Sequence, residues 1–363
     1  MSTIGELAKM AGVSVGTVSR VLNDAENVDP IIRERTLSVI RKSGYSLRPR
    51  GRRSSTKTAT TKVESKAAKV KRTVLAFAPE MTSSWISHEL WQEYLTGIKK
   101  ACAGRGCSSM VCMADSLHQL ELICKSSRDT IAGVMVKTGD FESDGLPRLT
   151  SLVPTVGFGS YRPDLSIPQV AVDDVGAGSI ATQALLDLGH QRIAFVNPEK
   201  TRTRFIARYQ GYSSAMRAAG IYDPSLLIEM DVKSSSRIPQ TMLPDLTAVI
   251  KMLMASGATA VVLANDWNAL GLYKACAEAG IRIPEDLSIV GVDDSIEAKT
   301  AKPALSSVSL AFDDVSYFAA NMLLDMVDGA GQYLRGKTSV HYVPVVFQKR
   351  ASVAAPASIL TTL

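Results

Sequence analysis

Ile4-Gly-Glu-Leu-Ala-Lys-Met-Ala-Gly-Val-Ser-Val-Gly-Thr-Val-Ser-Arg-Val-Leu-Asn23 is the stretch that decides how the chain folds at its start. Thr3 and Glu6 have the spacing of a capping box, and Leu7, Ala8 and Ala11 follow as an apolar stripe. Gly12 stops this helix. Ser14 is placed to cap a second helix from Val15 to Leu22, whose apolar face is Val18, Val21 and Leu22. Asp29-Pro30 is a cap followed by a first-turn proline, so a third helix starts there, with Ile32, Val39 and Ile40 inward and Gly44 at its end. Three short helices, the first two joined by a tight turn, are a helix-turn-helix layout. A small three-helix bundle without a nucleic-acid role has the same periodicity. In a helix-turn-helix the second helix points its N-terminal residues at base edges. The candidate DNA contacts are therefore Val15, Gly16, Thr17, Ser19, Arg20 and Asn23, with the cap hydroxyls of Thr3 and Ser14.

Working outward, the next feature is charge. The chain of 363 residues has a formal net charge of +6, unevenly spread. Residues 1–47 are nearly neutral, residues 48–72 carry 10 Lys/Arg against only Glu64, and the remainder is net acidic. A basic run behind a small helical module suits a polyanion, although taken alone such a run reads more readily as a solvated linker with no partner. Arg48, Arg50, Arg52 and Arg53 head this run and join the candidate DNA contacts.

From Thr73 short apolar runs alternate with amphipathic stretches. Val74–Ala78, Ser109–Met113, Ile131–Val136, Pro154–Phe158, Arg192–Val196, Leu226–Met230, Ala258–Leu263 and Ser288–Val292 read as buried strands. Leu90–Ala103 and Leu117–Ser126 read as helices between them. Such alternation predicts parallel sheets covered by helices. About 290 residues exceed one comfortable sheet, so two similar lobes are expected. Ligands of open α/β sheets bind beyond the carboxyl ends of the strands.

The quoted N-terminal string, continued through Asp29-Pro30 and Ser43-Gly44-Tyr45, resembles the headpiece of the LacI/GalR family of bacterial repressors. Core segments resemble the same family and, through it, periplasmic sugar-binding proteins. They are Val170-Ala-Val-Asp-Asp-Val-Gly-Ala-Gly178, Leu188-Gly-His-Gln-Arg-Ile-Ala194, Arg208-Tyr-Gln-Gly-Tyr212, Ala264-Asn-Asp266, Ile283 to Asp294 and Arg350-Ala-Ser352. The resemblance implies a helix-turn-helix headpiece (1–47), a linker (48–72), a two-lobed periplasmic-binding-protein-like core (73–353) and a tail (354–363). It implies a homodimer on double-stranded operator DNA, a repressor governed by a sugar-like effector between the lobes.

Carried over by position, Arg208 would hold the effector's polar groups and Asp293 would accept its hydrogen bonds, with Asn265 and Asp266 at another strand end. An ion pair between lobes is the alternative for Arg208 and Asp293. Trp91, Trp267 or Trp85 would cover a sugar face, Phe158 less directly; each could equally be core.

The family pattern has Pro-Asn, Ala-Arg and a Leu after the Tyr, a hinge helix whose Leu wedges into the minor groove. Here Arg48, Gly51 and Ser54 stand in those places. Pro49 and Gly51 disfavour a short helix, so a basic arm is expected to replace the wedge.

No cofactor or metal is expected. Cys102, Cys107 and Cys112 recur at fives without interleaved His, unlike zinc spacings. Five Cys argue against a disulfide framework, and no apolar run or leader-like N-terminus suggests a membrane, so a cytoplasmic protein is expected. A transport protein's sugar-binding domain would explain the core but not the helix-turn-helix. An enzyme on this scaffold has no acid/base pair or nucleophile motif to support it. Operator binding should be steeply salt-dependent, and deleting residues 50–66, which removes six Lys/Arg, should flatten the salt slope in filter-binding titrations. An unchanged slope would refute the basic-arm reading.

Overall fold

The computed structural model describes residues 4–22, 32–33, 35–37, 39, 72–77, 88–112, 114, 116–138, 143–230, 243–331, 334 and 337–356. The chain divides into two units between Lys66 and Ala67. In the N-terminal unit, α1 (Ile4–Ala11) and α2 (Val15–Leu22) form where the caps place them. Gly12, at φ 64°, ends α1 with the paired bonds Val13 N–H to Ala8 O (3.0 Å) and Gly12 N–H to Lys9 O (3.2 Å). The Ser14 hydroxyl accepts from the Thr17 N–H at 3.1 Å and opens α2. Leu7, Ala8 and Val18 are buried together, with Val13 and Val39 against them. Val39 belongs to a third helix, α3, seen as helical residues within 32–39, where the buried Thr36 hydroxyl donates to Ile32 O at 2.7 Å. Ile40 and Gly44 lie outside the described residues.

The second unit contains β1 (Thr73–Phe77), α4 (His88–Gly104), β2 (Ser108–Cys112), α5 (Leu117–Ser126), β3 (Ile131–Thr138), α6 (Leu146–Leu152), β4 (Thr155–Gly159) and β5 (Pro168–Val172). It continues with α7 (Asp174–Leu186), β6 (Ile193–Asn197), α8 (Thr203–Ala218), β7 (Leu227–Glu229), α9 (Thr247–Ser256), β8 (Ala260–Leu263), α10 (Asp266–Ala279) and β9 (Ser288–Asp293). The last elements are α11 (Ile296–Thr300), β10 (Ser306–Ser309), α12 (Phe312–Asp328), β11 (Ser339–Val343) and β12 (Val346–Gln348). Two sheets result, ordered β11-β5-β4-β3-β1-β2 and β12-β10-β9-β8-β6-β7. The two orders are the same pattern written twice. Every pairing is parallel except β10 with β12. These are the two similar parallel-sheet lobes expected from the alternation.

The chain changes lobes between β5 and α7, between β10 and α12, and between β11 and β12. The expected strands are present, with no end moved by more than two residues. Four strands were not expected: β5, β10, β11 and β12. β10 reads Ser-Ser-Val-Ser, polar by sequence yet buried over its first three residues. The Ser306 hydroxyl accepts from Arg350 N–H (2.9 Å), and the Ser307 hydroxyl donates to Asp266 (2.6 Å), so neither is left unpaired.

Arg350-Ala-Ser352 has a structural explanation. The buried Ser352 hydroxyl donates to Ile289 O (2.6 Å) and accepts from Ser306 N–H (2.7 Å), stitching β9 to β10. His190 Nε2 donates to Ala354 O (2.8 Å), so Nδ1 accepts from the Thr259 hydroxyl (2.8 Å); burial lowers its pKa and keeps it neutral. Ala354, placed in the tail by the sequence, is thereby tied into the second lobe.

α7 and α8 touch backbone to backbone. A Cβ on Gly178 would lie 1.8 Å from Arg208 O, and one on Gly211 would lie 1.9 Å from Val175 O. Gly178→Ala and Gly211→Ala should each force these helices apart and cost about 1–3 kcal/mol. The check is a lower urea midpoint for unfolding; unchanged midpoints in both would show that the close approach is not constraining.

Candidate functional site

The site is assembled at the carboxyl ends of β8 and β9. Arg208, in the middle of α8, is buried, and its position is set by the Gly178–Gly211 contact. Its Nε donates to Asp174 Oδ1 at 2.9 Å, and Nη1 donates to Ala264 O and reaches Asp293 Oδ1 at 3.5 Å. Asp174 opens α7, where the positive helix end also favours a carboxylate. Burial disfavours the Arg208 cation, and the Asp174 and Asp293 carboxylates overcome it, raising its pKa. Asp293 ends β9 at φ 126°, a left-handed backbone uncommon outside glycine. Burial pushes its carboxyl up to about 6 against the lowering pull of Arg208. All three residues belong to the second lobe. The ion pair considered between lobes is therefore a pair within one lobe, made with Asp174.

Facing these charges is an aromatic cluster on the first lobe. Tyr94 packs edge-on against Phe158 (5.2 Å between ring centres) and Trp91 (5.9 Å), and tilted against Phe312 (4.9 Å). Burial, then the Asp174 and Asp293 charges, raise the Tyr94 pKa well above the usual phenol value, which sets the cluster beside the acids. Trp91 and Phe158 are both buried in it. Among the described residues the buried Trp91 Nε1–H has no acceptor.

Asn265 and Asp266 are engaged inside the protein. Asn265 Oδ1 caps α10 by accepting from Asn268 N–H at 2.9 Å. Asp266, buried, accepts from the Ser307 hydroxyl (2.6 Å) and Ser295 N–H (2.8 Å). Burial, and then the Asp293 charge, raise its carboxyl to about 7. Trp267 is half-buried one residue further along α10. Sequence reasoning passed over Asp174, Tyr94 and Phe312. Asp174 stood in the quoted Val170 to Gly178 string, and the signal was its place one residue after the capping Asp173.

In the headpiece, Val15 and Gly16 are exposed at the start of α2, and Thr17 is half-buried with its hydroxyl 2.9 Å from that of Ser14. The side chains of Ser19 and Arg20, and Thr3, Asn23, Arg48, Arg50, Arg52, Arg53 and Trp85, lie outside the described residues. Among the described residues no helix is long and apolar enough to cross a membrane, and no His/Cys/Asp/Glu group could hold a metal.

Two family patterns match the chain. Residues 3–47 match bacterial regulatory proteins of the lacI family, and residues 182–353 match a periplasmic binding protein-like domain. The HTH-type transcriptional repressor PurR of Haemophilus influenzae (strain PittEE) is 28% identical over 354 residues, covering 92% of this chain and 95% of that one. A solved structure of the transcriptional regulator CelR with cellobiose aligns at 25% identity and TM-score 0.61, covering 97% of this chain and all of that one. A LacI family regulator of Enterococcus faecium with bound ribose aligns at 27% identity and TM-score 0.63, covering 78% and 100%. The class is thus a helix-turn-helix joined to a two-lobed periplasmic-binding-protein-like core. Residues 3–47 are a lacI-family helix-turn-helix and residues 182–353 a periplasmic-binding-protein-like domain, and the relatives the chain resembles over most of its length are DNA-binding transcriptional regulators.

Asp266 keeps its proton to about pH 7 in the fold, against an ordinary value of 3.8. The folded state therefore binds more protons between those values, and its stability falls as pH rises through that window. Asp266→Asn can keep both hydrogen bonds and carries no charge. Its thermal midpoint relative to the parent should climb from about pH 4 to pH 7 and level off above. A difference that is flat with pH in scanning calorimetry would show that Asp266 is not held protonated.

Proposed function

We propose that this regulator is a repressor that binds a palindromic operator as a homodimer and is controlled by a sugar-like effector between the lobes. The observation that carries the effector half is the Arg208–Asp174–Asp293 group set against an aromatic wall with one orphaned donor, Trp91 Nε1–H. A sugar offers hydroxyls that both donate and accept and a flat C–H face. Asp293 accepts from a hydroxyl, Trp91 donates to one, and Trp91 with Phe158 covers the ring; Trp267 borders the opening. Asn265 and Asp266 hold the strand end in place for Arg208 and Asp293. Cellobiose and ribose in two similar regulators support this class of ligand.

The DNA half rests on α2. Val15, Gly16 and Thr17 present its first turn outward, Ser14 fixes it, and Ser19, Arg20, Asn23 and Thr3 complete the groove contacts. Arg48, Arg50, Arg52 and Arg53 add phosphate contacts. The domains are the headpiece 1–47, the linker 48–72, the core from 73 to 353 and the tail 354–363. Two headpieces on one dimer match two half-sites, which is why the operator is palindromic.

The test is a thermal-shift panel of cellobiose, D-ribose, gluconate and hypoxanthine on the full chain. A sugar at about one hundred times its dissociation constant stabilises the fold by about 2.7 kcal/mol. Asp293→Asn, which retains the side-chain volume, should remove that shift while leaving the ligand-free protein folded. A shift with hypoxanthine alone would replace the sugar by a purine, and no shift with any compound would end the effector reading. Selection of random duplexes on the chain should return a palindrome, and addition of the shifting sugar should change its affinity.

A further inference from the structure

Cys102, Cys107 and Cys112 recur at intervals of five, and neither a metal nor the sites above account for them. The first two close the turn that ends α4. Cys107 N–H donates to Cys102 O at 2.9 Å, Gly106 N–H donates to Ala103 O at 3.3 Å, and Gly106 has φ 65°. This six-residue loop is a Schellman motif, which brings the side chains of its first and last residues into contact. The same paired bonds join Ala8 with Val13, Leu185 with His190, Met216 with Ile221 and Cys276 with Ile281, at the ends of α1, α7, α8 and α10. Wherever both residues are apolar, the pair packs into one hydrophobic cluster. Cys102 and Cys107 do the same. Among the described residues, this loop alone has a thiol at both positions.

The two thiols differ in access. Of the five cysteines, Cys102, Cys112, Cys124 and Cys276 are buried, and Cys107 is half-buried. The Cys107 Sγ–H donates weakly to Arg105 O at 3.7 Å, so its sulfur lies back over the loop. The loop holds its two end Cα atoms at about the 5.5–6 Å that disulfides favour. Burial, and then the neighbouring Cys107, raise the Cys102 thiol to about 11. A thiol so buried and so raised is a poor first nucleophile. Held against a sulfur that is already oxidised, it needs no encounter in order to react.

We propose that Cys102 and Cys107 are an oxidative modification site, a dithiol that hydrogen peroxide converts to a disulfide across the end of α4. The Cys107 thiolate attacks the peroxide. An S–O bond forms, the O–O bond breaks, and the departing hydroxide takes up the proton that the thiol released, giving water and a Cys107 sulfenic acid. The Cys102 sulfur then attacks the Cys107 sulfur. The S–S bond forms, the S–O bond breaks, and the hydroxyl leaves with the Cys102 proton as a second water. The dithiol loses two electrons and the peroxide gains them. The new bond closes the loop around Arg105, whose guanidinium donates to Asp325 and Asp328 of α12. Cys112 and Cys124, buried in a separate cluster, and Cys276, paired with an isoleucine, stay reduced. Neither the effector nor the DNA reading enters this chemistry.

The test is to treat the reduced full chain with hydrogen peroxide, alkylate the thiols that remain, and digest with trypsin without reductant. Cleavage after Arg105 puts Cys102 in peptide 101–105 and Cys107 in peptide 106–125, so the disulfide is read by mass spectrometry as a link between the two. Fragmentation should place the link at Cys107. The alkylated forms of Cys102 and Cys107 should be lost together, with three of the five cysteines still alkylated. Cys107→Ser should abolish the link, and Cys102→Ala should halt oxidation at a Cys107 sulfenic acid that dimedone captures. A link from Cys102 to Cys112 or Cys124, or a link between two chains through Cys107, overturns the proposal. So does Cys107 sulfinic acid beside an alkylated Cys102, or full alkylation of both. Where Cys102→Ala does not fold, a dimedone pulse on the parent chain takes its place. An adduct on Cys107 then supports the order of steps, and an adduct on Cys102 or on neither overturns it.

Discussion

A guanidinium buried in a protein interior must be paired, and the placing of Arg208 organises the second lobe around that requirement. Its partners come from separate elements: Asp174 from the first turn of α7, Asp293 from the end of β9, and the Ala264 carbonyl from the end of β8. Bringing them within reach needs α7 and α8 closer than ordinary side chains allow, and Gly178 and Gly211 supply that approach. A buried ion pair is weak evidence for stability, since well-packed apolar groups often do as well. Its effect here is orientation. Two carboxylates share the one guanidinium, with Arg204 a further cation acting on Asp293. Burial holds the Asp293 carboxyl on the high side of its usual range, against the lowering pull of Arg208 and Arg204.

A second set of polar groups in the same lobe does different work and is kept apart from the first by hydrogen-bond saturation. Asp266 is held by Ser295 and Ser307, Asn265 by Asn268, Ser352 by Ile289 and Ser306, and His190 by Thr259 and Ala354. Each side chain with its bonds made internally has little left to offer a ligand. Trp91, with a buried donor and no acceptor, has the opposite status. The division explains why residues adjacent in sequence, such as Asp293 and Asp294, diverge in role. Asp293 turns to Arg208, whereas Asp294 pairs with Arg350 and Lys299 at the edge of the lobe.

The helix-turn-helix was legible because its signals are local: Gly12 ends one helix and Ser14 starts the next within three residues. The buried strands were legible as apolar runs for the same reason. β10 was not, because what makes Ser306 and Ser307 acceptable inside a sheet lies more than 40 residues away in sequence. Edge strands β11 and β12 are equally dependent on partners from distant segments. In the site, Arg208 and Asp293 were found through resemblance, but their geometry was not. The ion pair runs within one lobe, and Asp174 completes it, a partner that spacing alone does not reveal. Tyr94 and Phe312 were missed because an aromatic at helical spacing looks like core, and in this lobe it is core as well as wall.

The charge distribution bears on how control can reach DNA. Phosphate contacts from a run of lysines and arginines add affinity without fixing an orientation, and salt screens them within about 8–10 Å. Arg72, the last residue of that run, has its side chain and its carbonyl both held, by Asp328 and by Ser108. The end of the basic run is therefore tied to the first lobe through Asp328, at the end of α12, which also pairs with Arg105 just beyond α4.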